Sequence, residues 1–281
     1  MKKIAILTDS SANISELEAK NNEIYVVRMP IIINDKEYIE GETITYKEFI
    51  GEMENKAICK TSQPSVGKTL EIFDALLKDY EHIIFIPISS GLSGTYSTSM
   101  TLAKEYDNKV TVLDAKHVTY PLAILCMQVR GLINEGKTIE QIKDIVENKS
   151  EFWGVLLPDN LEYLKRGGRI SSSAALLGNL LKIVPILKVE NGLIDVYDKV
   201  RTKSKAIKVA IDAVTNVPNH DDYIWLVIHA DYNQQAELIQ KEMLETIKQP
   251  VLINTIGSIV MSHTGPKTLG IARIKKINNV Y

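Results

Sequence analysis

Four short segments carry side chains suited to gripping an acid group. Ser89-Ser90-Gly91-Leu92-Ser93-Gly94-Thr95 joins an apolar run to a helix-compatible segment. Its glycines permit a tight turn and close backbone approach. Amides and hydroxyls at a helix N-terminus suit an anion, although a cap by Ser93 or Thr95 with no ligand explains the same residues. Lys60-Thr61-Ser62-Gln63-Pro64-Ser65 opens a helix, with Pro64 in its first turn and Ser62 or Gln63 near the cap. There the Thr61 hydroxyl either faces a ligand or has no such role. Arg166-Gly167-Gly168-Arg169-Ile170-Ser171 sets two arginines around a glycine pair. Such a pair can clamp a carboxylate or phosphate, or simply be solvated. His263-Thr264-Gly265-Pro266 presents an imidazole from a turn after a strand.

Two other chemistries compete for these residues. Gly91-Leu92-Ser93-Gly94 resembles a nucleophile elbow with Thr95 in place of the last glycine, and Ser93, Asp231 and His263 follow the hydrolase order. Three such residues in order arise readily by chance in a chain of this length. Gly131 to Thr138 matches the phosphate-loop pattern GxxxxGK[ST]. The context rejects it, because a phosphate loop follows a strand and opens a helix. Here a helix runs into Gly131, Gly136 reads as a C-terminal helix glycine, and Thr138 with Gln141 forms a capping box for the next helix. No Cys/His cluster or HExxH-type spacing supports a metal site.

The elements that must position these groups fall into two patterns. Up to about residue 155, short apolar strands (Ile4 to Leu7, Ile83 to Ile88, Val110 to Leu113, Val155 to Leu157) alternate with helices. The helices are expected at Pro64–Tyr80, Thr95–Tyr106, Pro121–Glu135 and Ile139–Asn148. This pattern predicts a parallel sheet covered on both faces, with ligands beyond the carboxyl ends of its strands. Further on, strands are expected at Ile183–Val189, Leu193–Val200, Tyr223–Ala230, Val251–Ile256 and Ile259–Met261. Glu190-Asn191-Gly192 turns the first two into a hairpin. Helices at Ser172–Lys182, Lys203–Thr215 and Gln234–Ile247 complete an α+β pattern. The leucine- and alanine-rich segment from Ala174 to Leu181 is apolar over so wide an arc that it is either core or the lining of an apolar cavity. The expectation is an α/β protein of two domains: a three-layer parallel-sheet domain at 1–157 and an α+β domain at 158–281.

Composition excludes several function classes. The 281 residues are 45% hydrophobic and 24% charged, with a net charge of -2. That gives no basic field for nucleic acid or an anionic membrane. Cys59 and Cys126 stand alone, which fits a reducing compartment. Asp9 ends the first apolar run too early for a signal peptide, and no stretch reaches the length of a membrane span. A cytoplasmic protein is expected.

Taken together the segments resemble the DegV family, including the fatty-acid-binding subunits of bacterial fatty acid kinase. The likeness runs from Thr8-Asp9-Ser10 through Thr61-Ser62-Gln63-Pro64, Gly91-Leu92-Ser93-Gly94-Thr95 and Leu164-Lys165-Arg166-Gly167-Gly168-Arg169-Ile170 to His263-Thr264-Gly265-Pro266. The resemblance implies a non-catalytic carrier with a lipid tunnel between or beneath its domains. It implies that Thr61, Ser93 and His263 hydrogen-bond a fatty-acid carboxylate, with Ser62, Gly94 and Arg169 in support. It further implies no cofactor, a long-chain fatty acid as ligand, and an ATP-dependent kinase partner met through Arg201. Contact with a membrane would be transient at most. Lys267 departs from the family pattern His-x-Gly-Pro-Gly and would alter this loop or add charge near the ligand head. The alternatives are a serine hydrolase using Ser93 and His263, and a carrier for another lipophilic acid.

Overall fold

The computed structural model describes residues 2–171 and 183–278. The apolar runs at Ile4–Leu7 and Ile83–Ile86 cannot expose either face, and each becomes a strand buried on both sides. β1 (Lys2–Asp9), β2 (Ile24–Val27), β6 (Tyr80–Ile86) and β7 (Val110–Val112) form a parallel sheet in the order β2-β1-β6-β7. Alternation along the strands divides their side chains between two cores. Ala5, Leu7, Ile83 and Phe85 pack with Phe73 and Leu76 of α3 (Val66–Asp79). Ile6, Ile84 and Ile86 face the opposite way, toward α5 (Tyr120–Asn134). α5 is buried almost all round, as an apolar helix between two layers must be. α4 (Thr95–Ala103) and α6 (Ile139–Asn148) complete this half.

A small antiparallel sheet, β4 (Lys36–Tyr38), β3 (Ile31–Ile33) and β5 (Cys59–Thr61), projects beside the parallel one. α1 (Glu16–Asn21) precedes it in sequence, and α2 (Tyr46–Glu54) connects β4 to β5. The second half is a six-stranded sheet in the order β10-β9-β8-β13-β11-β12. Its strands are β8 (Phe152–Leu157), β9 (Val184–Glu190), β10 (Leu193–Val200), β11 (Tyr223–His229), β12 (Val251–Thr255) and β13 (Leu269–Lys275). Trp225, Val227 and Ile271 on one face pack under α8 (Lys203–Thr215) and α9 (Asn233–Ile247). Leu226, Ile228 and Ala272 on the other face join the core that contains α5, so the two sheets share one interior. α7 (Glu162–Gly167) and α10 (Ser258–Thr264) are short helices near the junction.

The α/β class, the parallel sheet and the hairpin are as expected, with Asn191 and Gly192 at φ 51° and 75° in its turn. The GxxxxGK[ST] match lies in α5 and the turn after it, and Thr138 makes its capping box with Gln141. Several expectations need correction. The strand at Val155–Leu157 forms but pairs antiparallel with β9 and β13, in the second sheet and not in the parallel one. A continuous apolar run does not state which sheet it joins. Ile259–Met261 is helical, and His263 lies in the last turn of α10. The cap of α3 is Ser65, whose Oγ accepts from the Lys68 amide, which leaves Ser62 outside the helix. β13 and the small sheet were not expected. The helix expected at Ser172–Lys182 lies outside the described residues.

Candidate functional site

Strand order places the switch point of the parallel sheet between β1 and β6, where successive connections leave to opposite sides. Asp9, at the end of β1, is fully buried there. One carboxylate oxygen accepts from the Ser11 amide at 3.0 Å and the Ser11 hydroxyl at 2.5 Å, and the other accepts from the Ile88 amide at 2.8 Å. Burial raises its pKa, opposed by those hydrogen bonds. Asp9 therefore ties the end of β1 to the loop that follows β6.

That loop carries Ser93. The amides of Leu92 and Ser93 both donate to the Ser89 carbonyl, at 3.0 and 3.2 Å, which folds the segment tightly. Ser93 Oγ lies 2.8 Å from Thr95 Oγ1 and accepts from the Thr95 amide at 3.3 Å. Its hydroxyl therefore sits at the N-terminus of α4. Thr61 ends β5, and the next residue, Ser62, donates its amide to the Pro30 carbonyl. Gln63 Oε1 accepts from Thr98 Oγ1 at 3.0 Å and so joins the β5 exit to α4.

His263 reaches the same place from the other half of the molecule. Its Nε2 lies 2.7 Å from Thr61 Oγ1, while its Nδ1 is buried without a partner. A buried N–H with no acceptor costs more than an unused lone pair. The favoured tautomer therefore carries its proton on Nε2, donates it to Thr61 Oγ1, and frees the Thr61 O–H to donate onward. Burial, then the charges of Arg169 and Arg166, lower the His263 pKa to about 4, so the ring is neutral at neutral pH. Positive charge at the mouth comes from the arginines. Arg169 Nε donates to the Leu92 carbonyl at 3.2 Å and its guanidinium also bonds the Gly167 carbonyl. Arg166 lies over the Tyr163 ring, 5.2 Å from its centroid.

Thr61, Ser62, Ser93, Gly94, Arg169 and His263 all line one cavity of about 280 Å³. Its remaining wall includes Met29, Ile88 and Val118, which sequence reasoning gave no reason to select as site residues. A smaller chamber of about 50 Å³ shares Leu92, Val118, Ile194, Val260 and Thr264 with it and presents only apolar surface. Thr119, at φ 58° and ψ -155°, lines this inner chamber in a backbone conformation costly for a β-branched residue. The site thus has a polar mouth and an oily interior.

Arg201 is exposed and lies outside the cavity. Lys267 is also exposed and lines a separate cleft with Asp159 and Lys203, so its charge is not part of the cavity's wall. A hydrolytic triad is not assembled. Asp231 is exposed, and His263 Nδ1, which a triad carboxylate would engage, has no partner. Among the described residues no group of three or more His, Cys, Asp or Glu could hold a metal ion, and no helix is long and apolar enough to cross a membrane.

A family model described as "Uncharacterised protein, DegV family" matches residues 3–276. A DegV domain-containing protein of Streptococcus pneumoniae is 32% identical over 281 residues, covering 98% of this chain and 100% of the relative. Among solved structures, a fatty acid binding DegV family protein from Streptococcus agalactiae superposes with a TM-score of 0.89 at 29% identity, covering 98% of this chain and 100% of the other. DegV, a fatty acid binding protein from Bacillus subtilis, superposes with a TM-score of 0.86 at 28% identity, with the same coverage.

Proposed function

This chain belongs to the DegV family, and from that premise we propose that it is a carrier that buries a long acyl chain and presents its carboxylate at the protein surface. The observation that carries this reading is that the cavity holding the Thr61–His263 pair and Ser93 adjoins, through five shared wall residues, a chamber with only apolar surface. Fatty acid binding by two similar proteins of known structure supports it.

The chemistry follows from the donors. A carboxylate at the mouth accepts from the Thr61 and Ser93 hydroxyls, and His263 fixes the Thr61 hydroxyl by holding its oxygen. Arg169, pinned beside Ser93, offsets the negative charge without entering the oily space. Ser62 and Gly94 shape the rim. Burial of each methylene contributes about 0.8 kcal/mol, so a palmitoyl-length tail offers roughly 10 kcal/mol before the costs of association. Such a site holds its ligand through the tail and orients it through the head.

On this reading the exposed acid group is the substrate of a separate ATP-dependent fatty acid kinase, and the exposed Arg201 belongs to the surface that meets it. Phosphoryl transfer would then occur on the acid group that the carrier presents. The protein works in the cytoplasm.

Organic extraction of the purified protein followed by mass spectrometry tests the carrier reading. Fatty acid is expected from the wild type at near-stoichiometric yield, with much less from Ser93→Ala. A lipid-free wild type that also fails to take up added fatty acid would overturn the reading. Covalent labelling of Ser93 by a fluorophosphonate probe would favour the hydrolase instead.

A further inference from the structure

We propose that Phe152 is the end wall of the acyl cavity and sets the longest chain the protein accepts. The inference rests on the carrier reading and adds a determinant of its length preference.

Phe152 enters from the start of β8 and is 9% exposed. Among the described residues it is the one common to the apolar inner chamber and to a polar pocket of about 320 Å³. That second pocket is walled by charged and polar groups, among them Lys116, Glu147, Glu151 and Asn191. An acyl chain advancing through the inner chamber therefore gains apolar burial as far as the Phe152 ring, and beyond the ring it meets a polar environment.

Two contacts hold the ring as a wall. Gly154, two residues along the strand, has no side chain, and a Cβ built there would lie 3.4 Å from Phe152 Cε2. The ring thus lies along bare backbone that also lines the inner chamber. His117 stacks against it with ring centroids 5.3 Å apart and planes tilted by 38°. His117 is 1% exposed and lines the polar pocket, so it backs the wall from that direction. Its Nδ1 lies 2.5 Å from the Ala115 carbonyl, which fixes the imidazole in place.

Shortening this side chain joins the two spaces. Each additional methylene that gains burial raises affinity by up to roughly fourfold. Phe152→Ala should therefore shift the bound population toward longer chains, and Phe152→Leu, which keeps an apolar core residue, should shift it less in the same direction.

The test equilibrates delipidated wild type, Phe152→Ala and Phe152→Leu with an equimolar mixture of straight saturated fatty acids, from lauric to behenic. Retained lipid is then identified by mass spectrometry, with circular dichroism to establish folding. The expected result is a sharp upper length limit in the wild type that moves to longer chains in the variants. If Phe152→Ala does not fold, Phe152→Leu decides alone. Folded variants with the wild-type length profile would overturn the end-wall assignment while leaving the carrier reading intact. A wild type that retains none of the mixture would overturn both.

Discussion

A Cβ placed on Gly167 would come within 2.3 Å of Nδ1 of His263. The last residue of α7 therefore has to be glycine for the imidazole to stand where it meets Thr61. The constraint is contact and not backbone shape, since Gly167 is helical. Gly167→Ala should leave the helix intact, because alanine is the better helix former, but it displaces the ring. The Thr61 hydroxyl then loses the ring that aims it at the carboxylate, and since a hydrogen bond to a charged group contributes about 1.5–3 kcal/mol, fatty-acid affinity should fall on the order of ten- to a hundredfold. Titration calorimetry on the delipidated variant checks this. Wild-type affinity in a folded Gly167→Ala would show that His263 does not need its present position.

The low pKa of His263 has a consequence for stability. Its folded value is about 4, against an ordinary 6.5. Between those values the unfolded chain binds more protons than the folded one, so stability rises with pH across this window and falls as pH drops from about 6.5 toward 4. His117, also lowered to about 4 by burial, acts with the same sign. The ligand-free protein should lose less stability between pH 7 and pH 5 as His263→Gln than as wild type, as measured by urea denaturation. Equal pH slopes would mean that His263 is solvated. A bound carboxylate should reduce the wild-type loss, because a nearby negative charge favours the imidazolium.

Local chemistry was legible in the sequence, and long-range placement was not. α6 begins and ends where Thr138, Gln141 and the apolar spacing put it, and the hairpin turn falls on Asn191-Gly192. Thr61, Ser93 and His263 are selected through a family resemblance; on spacing alone the Ser93 loop reads equally well as a cap, and capping near Thr61 and a structural turn at His263 are the plainer readings. The strands of the small sheet have three residues each, too few to show a period. Ile259-Val260-Met261 reads as a strand because it is apolar and β-branched, and tertiary burial made it helical. Nothing in the sequence signals that Gly167 and His263 touch, or that Gln63 bonds Thr98.

Lys267 occupies φ 57°, a left-handed conformation that glycine adopts without strain. Its amide donates to the Ala230 carbonyl at 2.7 Å, which holds the backbone there. Lys267→Gly relieves about 1–2 kcal/mol of backbone strain and gives back about 0.4–1 kcal/mol through a freer unfolded chain. A net gain of roughly 0.5 kcal/mol is expected in urea denaturation. Fatty-acid affinity should not change, because the side chain lines a different cleft. A marked change in affinity would place the lysine's charge at the ligand head after all.

Asp9 makes a stronger prediction because it acts on the site without lining it. Its two carboxylate oxygens serve the amides of Ser11 and Ile88, and Ile88 itself lines the cavity. Asp9→Ala leaves both amides buried without an acceptor, at about 1–3 kcal/mol each. Asp9→Asn keeps one acceptor oxygen but turns an NH₂ group toward the other amide, so it should recover only part of the loss. Fatty-acid retention should fall in the same order, wild type above Asn above Ala, since the loop that carries Ser93 starts from the anchored Ile88. Denaturation midpoints and extracted lipid, measured on the same preparations, test the coupling. If stability falls while lipid content stays at the wild-type level, Asp9 supports the sheet alone and the Ser93 loop holds its shape without it.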